Sequence, residues 1–276
     1  MTKSRGVITG SYLGLGGGAI YKLLLATVCS VMLFSTQAKA EESGVFVGAQ
    51  VLYGDLVYRE NLLDTPQGGN AVQVDWTSTN TGPGYGVVGG YKHFFSPWFG
   101  FRAYGSFFYN QFTLQGRAAS FGQQTPQAPQ FPLTLDGGKS NIFQFNLTAN
   151  AEALFNVIAG ENFNLGVFGG LGIGFQYWKS ERIDTMYKFH QILNNESAVR
   201  GTDKAEDRRF GLNLLWSVGV RTNFLKVNTI EVGAYIPMFD VTIFDYRSYY
   251  QNFVPVEHTV SARQSYNAYV RYTFGF

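Results

Sequence analysis

The stretch YNAYVRYTFGF, from Tyr266 to Phe276, decides the fold because apolar residues alternate in it with polar or small ones. On an extended strand, one face carries Tyr266, Ala268, Val270, Tyr272, Phe274 and Phe276, and the other carries Asn267, Tyr269, Arg271 and Thr273. A strand with one apolar and one mostly polar face is typical of a barrel whose outside meets lipid. The stretch therefore predicts a transmembrane β-barrel.

Seven further segments show the same two-residue period, and none shows convincing helical periodicity. In chain order they run over 44–58, 84–94, 101–109, 143–155, 163–178, 210–220 and 230–236. None of the predicted lipid-facing positions holds a charged residue, which would cost about 2 to 4 kcal/mol at mid-membrane. We predict an all-β fold, an eight-stranded antiparallel transmembrane β-barrel of the outer-membrane type.

Residues 1–40 have the features of a secretory signal peptide. Lys22 precedes an apolar run from Leu23 to Phe34, and the small-residue motif Ala38–Ala40 follows it. The run has twelve residues, whereas a membrane-spanning helix needs roughly 20. We expect cleavage before Glu41, which leaves 41–276 as the barrel. The sole cysteine, Cys29, lies in this leader, so neither a disulfide nor a lipid anchor is expected.

Charge and composition narrow the class of protein further. Four of the 21 basic residues lie in 1–40, so 41–276 carry 17 basic and 19 acidic residues and a net charge of −2. Binding to nucleic acid then lacks its electrostatic basis. Charged residues make up 14% of the chain and aromatic residues 17%, whereas a typical soluble protein is about 25% charged. Both values favour a membrane protein.

The predicted strands are joined by connections of two lengths. Short connections follow the second, fourth and sixth strands, and long ones follow the first, third, fifth and seventh. Because outer-membrane barrels have short periplasmic turns and long outer loops, the four extracellular loops are predicted at 59–81, 115–139, 179–207 and 237–261. These segments are rich in Gly, Asn, Gln, Ser, Thr and Pro, as solvated loops are.

A soluble, lipocalin-like barrel is the alternative, because it too has eight alternating strands but turns its apolar face inward. Periodicity alone does not distinguish the two. Aromatic residues cluster near both strand ends, which favours the membrane version because such barrels carry aromatic girdles at both interfaces. The periplasmic girdle is predicted to contain Phe94, Phe95, Trp98, Phe99 and Phe101, and the outer girdle Tyr109, Tyr177, Trp178 and Phe210.

The last third of the chain resembles a known family. The stretch Gly219–Asn223, the segment Ile230–Pro237 and the ending Tyr266–Phe276 are similar to the Helicobacter outer-membrane proteins of the Hop and Hor type. This resemblance implies a C-terminal eight-stranded barrel in the bacterial outer membrane, and the chain looks like a small, barrel-only member. Resemblance to outer-membrane proteins in general implies that the barrel-assembly machinery recognises Tyr272, Phe274 and Phe276.

The inward faces of the predicted strands carry charged residues near their periplasmic ends. These are Lys92, Arg102, Glu152, Arg221, Glu231 and Arg271. Isolated buried ions are very costly, so we expect this cluster to pair internally. Because the interior of an eight-stranded barrel is just wide enough for side chains to fill it, we predict a plug that closes the barrel. The alternative is that these residues only solvate internal water.

Catalytic and metal-binding patterns are weak. His93, His190 and His258 are the three histidines, and the spacing of His258 and Ser261 does not complete a set of nucleophile, base and orienting acid. A histidine in a loop is expected to be solvated. We therefore predict no enzyme activity, no cofactor and no metal site.

The predicted function is that of a non-enzymatic surface protein. Its expected partners are outer-membrane lipid and lipopolysaccharide, the barrel-assembly machinery, and a ligand on a host or another cell. A small porin-like channel is the alternative, and a lipid A-modifying enzyme is a weaker one.

Overall fold

The computed structural model describes residues 41–64, 72–115, 119–121, 133–135, 139–195, 206–249 and 255–276. The predicted signal peptide at 1–40 and parts of the predicted extracellular loops lie outside these residues. The strands are β1 (Gly44–Asp64), β2 (Val72–Phe94), β3 (Phe99–Gln115), β4 (Ala119–Phe121), β5 (Leu133–Leu135), β6 (Lys139–Ala159), β7 (Phe163–Ser180), β8 (Glu206–Asp207), β9 (Phe210–Phe224), β10 (Asn228–Pro237), β11 (Val241–Tyr249), β12 (Pro255–Arg263) and β13 (Asn267–Gly275). A helix, α1 (Glu181–Asn195), lies between β7 and β8.

Among the described strands, eight form a closed antiparallel ring, in the order β1, β2, β3, β6, β7, β9, β10 and β13. The ring closes where β13 pairs with β1, with Gln50 opposite Arg271 and Val47 opposite Phe274. The predicted eight-stranded antiparallel fold is thereby confirmed. Short turns at 95–98, 160–162 and 225–227 join neighbouring strands at one end of the ring.

The two faces of the strands differ as the alternation predicts. On β6, Asn146 and Thr148 are buried inside the barrel, and Leu147 between them is exposed on the outside. The same division holds around the ring, with Ile173 and Trp216 among the apolar side chains that face outward. The lipocalin-like alternative requires the opposite arrangement and is therefore wrong for this chain.

Outward aromatic side chains form a continuous belt near the end of the barrel opposite the short turns. Neighbouring rings along this belt lie 4.7 to 6.2 Å apart between centroids. Its members are Tyr109, Phe143, Phe145, Tyr177 and Phe210. Two predicted girdle residues, Phe94 and Trp178, instead point inward and are buried, because each falls one position out of phase with the outward face of its strand.

The sheet continues past the aromatic belt. β1 and β2 remain paired as far as Asp64 and Val72, and the β11–β12 hairpin joins the other edge of β1, with Val57 opposite Arg263. The predicted loops 59–81 and 237–261 are therefore largely strand. The polar run Thr77–Thr81 has no apolar alternation to indicate a strand, but each of its residues pairs with one of Asp55–Arg59 on β1.

Helix α1 corrects the prediction that no segment has helical periodicity. It lies in the predicted loop 179–207 and packs Ile183, Met186 and Tyr187 onto the barrel mouth. These residues have the spacing of one helical face, but a set of three is too short to stand out in a polar segment. Among the described residues, no helix is both long enough and apolar enough to cross a membrane.

The barrel interior contains two large apolar clusters at different heights. The outer cluster lies beneath α1 and consists of Leu56, Tyr58, Phe112, Leu114, Ile142, Trp178, Ile183, Met186, Val241, Ile243, Phe244, Tyr246, Val260 and Ala262. The middle cluster consists of Leu52, Phe94, Phe108, Leu154, Phe168, Leu215, Tyr235 and Tyr269. The polar groups described next lie beside and between these clusters.

Candidate functional site

All six charged residues of the predicted cluster lie inside the barrel, and each is at most 7% exposed. Strand register brings several of them side by side. Arg102 is opposite Glu152 across β3 and β6, and Glu231 is flanked by Arg221 on β9 and Arg271 on β13. Four of the six residues form one hydrogen-bonded group, and the other two, Lys92 and Arg221, belong to a second.

The first group contains two arginines and two carboxylates. Arg102 donates from Nε to Glu152 Oε2 over 2.6 Å, and from Nη2 to Glu231 Oε2 over 3.0 Å. Arg271 donates from Nη1 to the same Glu231 oxygen over 3.2 Å. These formal charges cancel, and each carboxylate accepts charge-assisted hydrogen bonds, as buried ions require. We call this group the ionic layer.

Neutral side chains complete the ionic layer. Tyr104 and Ser217 each donate a hydroxyl hydrogen bond to Glu152 Oε1, over 2.5 and 2.6 Å. Gln50 accepts from Arg271 Nε over 3.1 Å, and Tyr235 also hydrogen-bonds to Arg271. The Arg271 guanidinium lies 4.5 Å from the ring centroid of Tyr269, a cation–π distance. These residues carry no formal charge, so the pattern of charged residues in the sequence did not indicate them.

Lys92 and Arg221 form the second group, which depends on an acidic residue that was not predicted. Lys92 Nζ donates to Glu41 Oε1 over 2.7 Å, and Arg221 donates to the other oxygen of the same carboxylate. Asn223 Nδ2 donates to Glu41 Oε1 over 3.3 Å. The six predicted residues include four cations and only two anions, and this excess was the signal that an acidic partner was missing.

Glycine makes room for the ionic layer at one position in particular. Gly170 on β7 lies opposite Glu152 on β6. A Cβ atom added at Gly170 would lie 2.6 Å from both Cα and Cγ of Glu152, a distance that real Cβ atoms do not show. The run of glycines on β7 was predicted to leave room inside a narrow barrel, and here the room is taken by the Glu152 side chain.

A second buried ionic group lies at the extracellular end, beneath α1, and it was not predicted. Arg182, in the first turn of α1, donates to Glu60 Oε2 from Nη2 over 3.0 Å and from Nε over 3.2 Å. His258 Nε2 lies 3.2 Å from Glu60 Oε1. The Arg182 guanidinium also lies 5.2 Å from the ring of Trp76. These contacts fasten α1 to the barrel wall, so we call the group the cap latch.

The structure describes the side chains of two of the three histidines, His93 and His258. His258 is fully buried, so the expectation that it is solvated is wrong. His258 is paired with Leu62 on the neighbouring strand β1, and both side chains are buried. The pairing of β12 with β1 therefore places the His258 side chain on the inner face of the sheet. Ser261 is on the opposite face of β12, so these two residues form no catalytic pair. His93 points outward from β2, and the side chain of His190 lies outside the described part of the chain.

Burial and charge act in opposite directions on Glu60, which lies beyond the aromatic belt. Burial raises the pKa of its carboxyl, but the hydrogen bond with His258 and the charge of Arg182 lower it, and the net pKa lies below its ordinary value. Burial raises the pKa of the neighbouring Tyr58 hydroxyl well above its usual range. Glu60 is thus held as an anion, which is the state that the cap latch requires.

We expect the cap latch to weaken in acid. Because the folded pKa of Glu60 is depressed, its contribution to stability is present above the ordinary glutamate pKa and is lost as the pH falls through the lower folded value. The protection factors of α1 amides, which correct for the slower intrinsic exchange in acid, should therefore fall at acidic pH in the native chain. The Glu60→Gln variant should show fast exchange already at neutral pH, and exchange in α1 that is identical in both proteins would contradict the assignment.

The three predicted assembly residues lie on the outward face of the closing strand. Tyr272 and Phe274 are opposite Ala49 and Val47 on β1. The Phe276 amide donates to the Val45 carbonyl over 2.9 Å, and the Phe276 ring is 75% exposed. All three side chains are therefore at the surface of the barrel seam, where a binding partner could reach them.

A closed antiparallel ring with an apolar outside, an aromatic belt and a charged interior defines an integral β-barrel of the bacterial outer membrane. The chain belongs to the Helicobacter outer membrane protein family, whose model matches residues 86–276. The resemblance predicted from the last third of the sequence is thus confirmed. No curated protein sequence matches the chain.

Several solved outer-membrane proteins are similar to the chain at low identity. OprG of Pseudomonas aeruginosa is 11% identical, with a TM-score of 0.44 over 86% of this chain and 98% of that one. Ail, the attachment invasion locus protein of Yersinia pestis, is 13% identical, with a TM-score of 0.27 over 84% and 100%. The outer-membrane protease OmpT of Escherichia coli is 11% identical, with a TM-score of 0.33 over 84% and 97%.

Proposed function

We propose that the chain is a non-conducting, non-enzymatic surface protein, in which the lumen is structural and the extracellular part carries recognition. The observation that carries this proposal is direct contact across the lumen. β3 and β10 lie on opposite sides of the ring, yet Arg102 on β3 hydrogen-bonds to Glu231 on β10, and Phe108 stacks on Tyr235 at 5.4 Å. Side chains that meet from opposite walls leave no space between them for a water-filled path.

Two further features support a closed barrel. Amide side chains bridge distant strands above the ionic layer, where Asn110 on β3 and Asn267 on β13 exchange hydrogen bonds of 3.0 and 3.2 Å. The outer apolar cluster and α1 then fill the extracellular mouth. The porin-like alternative requires an open lumen at each of these levels. The proposal of no enzyme activity is supported by the separation of His258 from Ser261 on opposite faces of β12.

With the lumen occupied, the surface available for recognition is the extracellular extension of the barrel. It consists of the outer halves of β1 and β2, the β11–β12 hairpin and α1. Loops positioned by a rigid scaffold commonly carry binding functions. The proposed partners are a ligand on a host or another cell outside, and outer-membrane lipid around the wall.

Two measurements, bilayer conductance and binding to cells, test this function. We expect refolded residues 41–276 to insert into planar bilayers without open current steps, while a porin refolded in the same way conducts. We also expect a non-adherent bacterial strain that displays the chain to bind cultured epithelial cells. Replacing 65–71 and 250–254 by Gly/Ser linkers of equal length should reduce that binding to background.

The matched control is a Gly/Ser replacement of the turn 160–162, which lies at the opposite end of the barrel and should leave cell binding unchanged. Reproducible current steps from the wild-type chain would make it a pore. Cell binding that survives replacement of both outer segments, or that is absent from the wild-type chain, would refute recognition by this surface.

A further inference from the structure

The barrel wall contains a gap at the level of the outer aromatic belt. β9 pairs with β10 only up to Leu215 opposite Pro237, and the Met238 amide then donates to the Leu214 carbonyl over 2.8 Å. The next backbone hydrogen bond between these two segments of the chain is donated by the Arg208 amide to the Ile243 carbonyl over 3.3 Å. Between these two bonds, residues 209–213 and 239–242, all described, form no ladder.

The gap opens outward as a groove of about 560 Å³. Its lining residues are Arg208, Phe210, Gly211, Leu212, Phe239, Asp240, Val241 and Thr242. Phe210 and Leu212 are among the most exposed apolar side chains of the chain, at 75% and 63%. The Phe210 ring also contacts that of Tyr177 in a tilted arrangement, 4.7 Å between centroids, and so ends the aromatic belt at the edge of the groove. The lower part of the groove is therefore at the level where lipid chains meet headgroups.

The other rim of the groove is cationic. Asp240 in the groove is contacted by Arg59 at 3.5 Å and by Arg263 at 3.4 Å. Arg208 lies 4.0 Å from Asp245, which Arg247 approaches to 3.5 Å. Arg59, Arg208 and Arg263 together with Asp240 and Asp245 carry a net charge of +1, and the three arginine side chains are 47% to 54% exposed. An apolar surface below a cationic rim complements an amphiphile that has acyl chains and an anionic headgroup.

The backbone hydrogen-bonding groups at the gap also favour an amphiphile with an anionic headgroup. Because the Leu214 carbonyl points toward β10, the alternation of an antiparallel strand directs the backbone groups of Phe210 and Leu212 into the gap. The Leu212 carbonyl accepts from Gln176 Nε2 over 3.3 Å, from inside the barrel. Backbone amides in hydrocarbon require partners. A phosphorylated headgroup offers acceptors to such donors, whereas an acyl chain alone offers none.

We propose that this groove binds a phosphorylated glycolipid of the outer leaflet, with its phosphate on Arg208 and the neighbouring arginines and an acyl chain along Phe210, Leu212 and Phe239. Surface arginines attract anionic lipid by about 1 kcal/mol each, which corresponds to about fivefold in affinity. The Arg208→Ala/Arg263→Ala double variant should therefore bind such a lipid about 25-fold more weakly. The start of β11 borders both this groove and the surface proposed above for recognition of cells, but the ligand here is a membrane lipid, so lipid binding and cell binding are measured separately.

The test is native mass spectrometry of the full chain extracted from membranes, titrated with bisphosphorylated lipid A and with the same lipid after dephosphorylation. We expect one lipid A molecule bound per chain and much weaker binding of the dephosphorylated form. Arg247→Ala is the matched control, because Arg247 is exposed but contacts Asp245, which does not line the groove, whereas Arg263 contacts Asp240, which does. It should bind lipid A like the wild type.

A Phe239→Asn variant tests the apolar half of the groove separately and should also lose lipid A. Heat-modifiable migration on gels verifies that each variant is folded. Equal binding of phosphorylated and dephosphorylated lipid by the wild-type chain would overturn the proposal even where a variant fails to fold. A dimer that forms without lipid and disappears in Phe239→Asn would show that a second copy, and not a lipid, occupies the groove.

Discussion

The Glu231→Gln variant is expected to destabilise the barrel by about 3 to 5 kcal/mol, the usual cost of removing one partner from a buried ion pair. Glu231 is almost fully buried and accepts hydrogen bonds from Arg102 and Arg271. Neutralising it leaves the two guanidinium groups of the ionic layer with a single carboxylate, Glu152, in an interior that cannot solvate the excess charge. Urea unfolding of the refolded barrel, followed by tryptophan fluorescence, measures the change.

Two controls separate the loss of charge balance from the loss of a side chain. Glu161→Gln removes a carboxylate from the exposed turn between β6 and β7 and should change stability by no more than about 0.5 kcal/mol. Adding Arg102→Met to Glu231→Gln removes one cation with the anion and should recover part of the loss, as a coupled pair does. If Glu231→Gln and Glu161→Gln unfold at the same urea concentration, the ionic layer does not stabilise the barrel.

The inner face of the barrel was predictable because it depends on the parity of positions along each strand. Once Leu147 is outside, Asn146 and Thr148 must be inside, and the same rule places Arg102 and Arg271 in the lumen. The position of Glu41 was not predictable by this rule. It precedes the first strand, and it meets Arg221 only because the ring brings β9 close to the start of β1.

The extracellular end was less predictable because its order comes from contacts distant in sequence. His258 is buried only because β12 pairs with the extension of β1, and Glu60 meets Arg182 across 122 positions. The extension leaves the membrane, so its outer face no longer has to be apolar and loses the alternation that indicates a strand. The polar composition of 59–81 therefore indicated a loop where the structure has a long hairpin.

The groove between β9 and β11 arises where β9 loses β10 as its neighbouring strand. Inside the membrane β10 pairs with β9 and β13, but above Pro237 the chain turns away into the β11–β12 hairpin, which pairs with β1. β9 continues upward and loses its neighbour on that side. A two-residue period describes each strand alone and contains no information on where one neighbour replaces another, so this gap was not predictable from the alternation.

The Phe276→Ser variant is expected to lose most of its insertion into the outer membrane of growing cells, although the purified chain still refolds. The ring is exposed and makes an edge-to-face contact with Phe274 at 5.3 Å, so its removal should change the stability of the refolded barrel by about 0.5 kcal/mol or less. The backbone bond from residue 276 to Val45 is kept. A large effect in cells must then come from recognition of the closing strand during assembly.

Phe163→Ser is the matched control for this experiment. Phe163 is also an exposed aromatic residue at the end of a strand near the short turns, but it belongs to β7 and not to the closing strand. If the assembly machinery recognises the strand that ends in Phe276, only Phe276→Ser should accumulate outside the membrane fraction. Equal insertion of both variants would mean that Phe276 serves only as an aromatic residue at the lipid interface. Equal loss would mean that exposed aromatic residues near the short turns in general, and not a terminal signal, direct insertion.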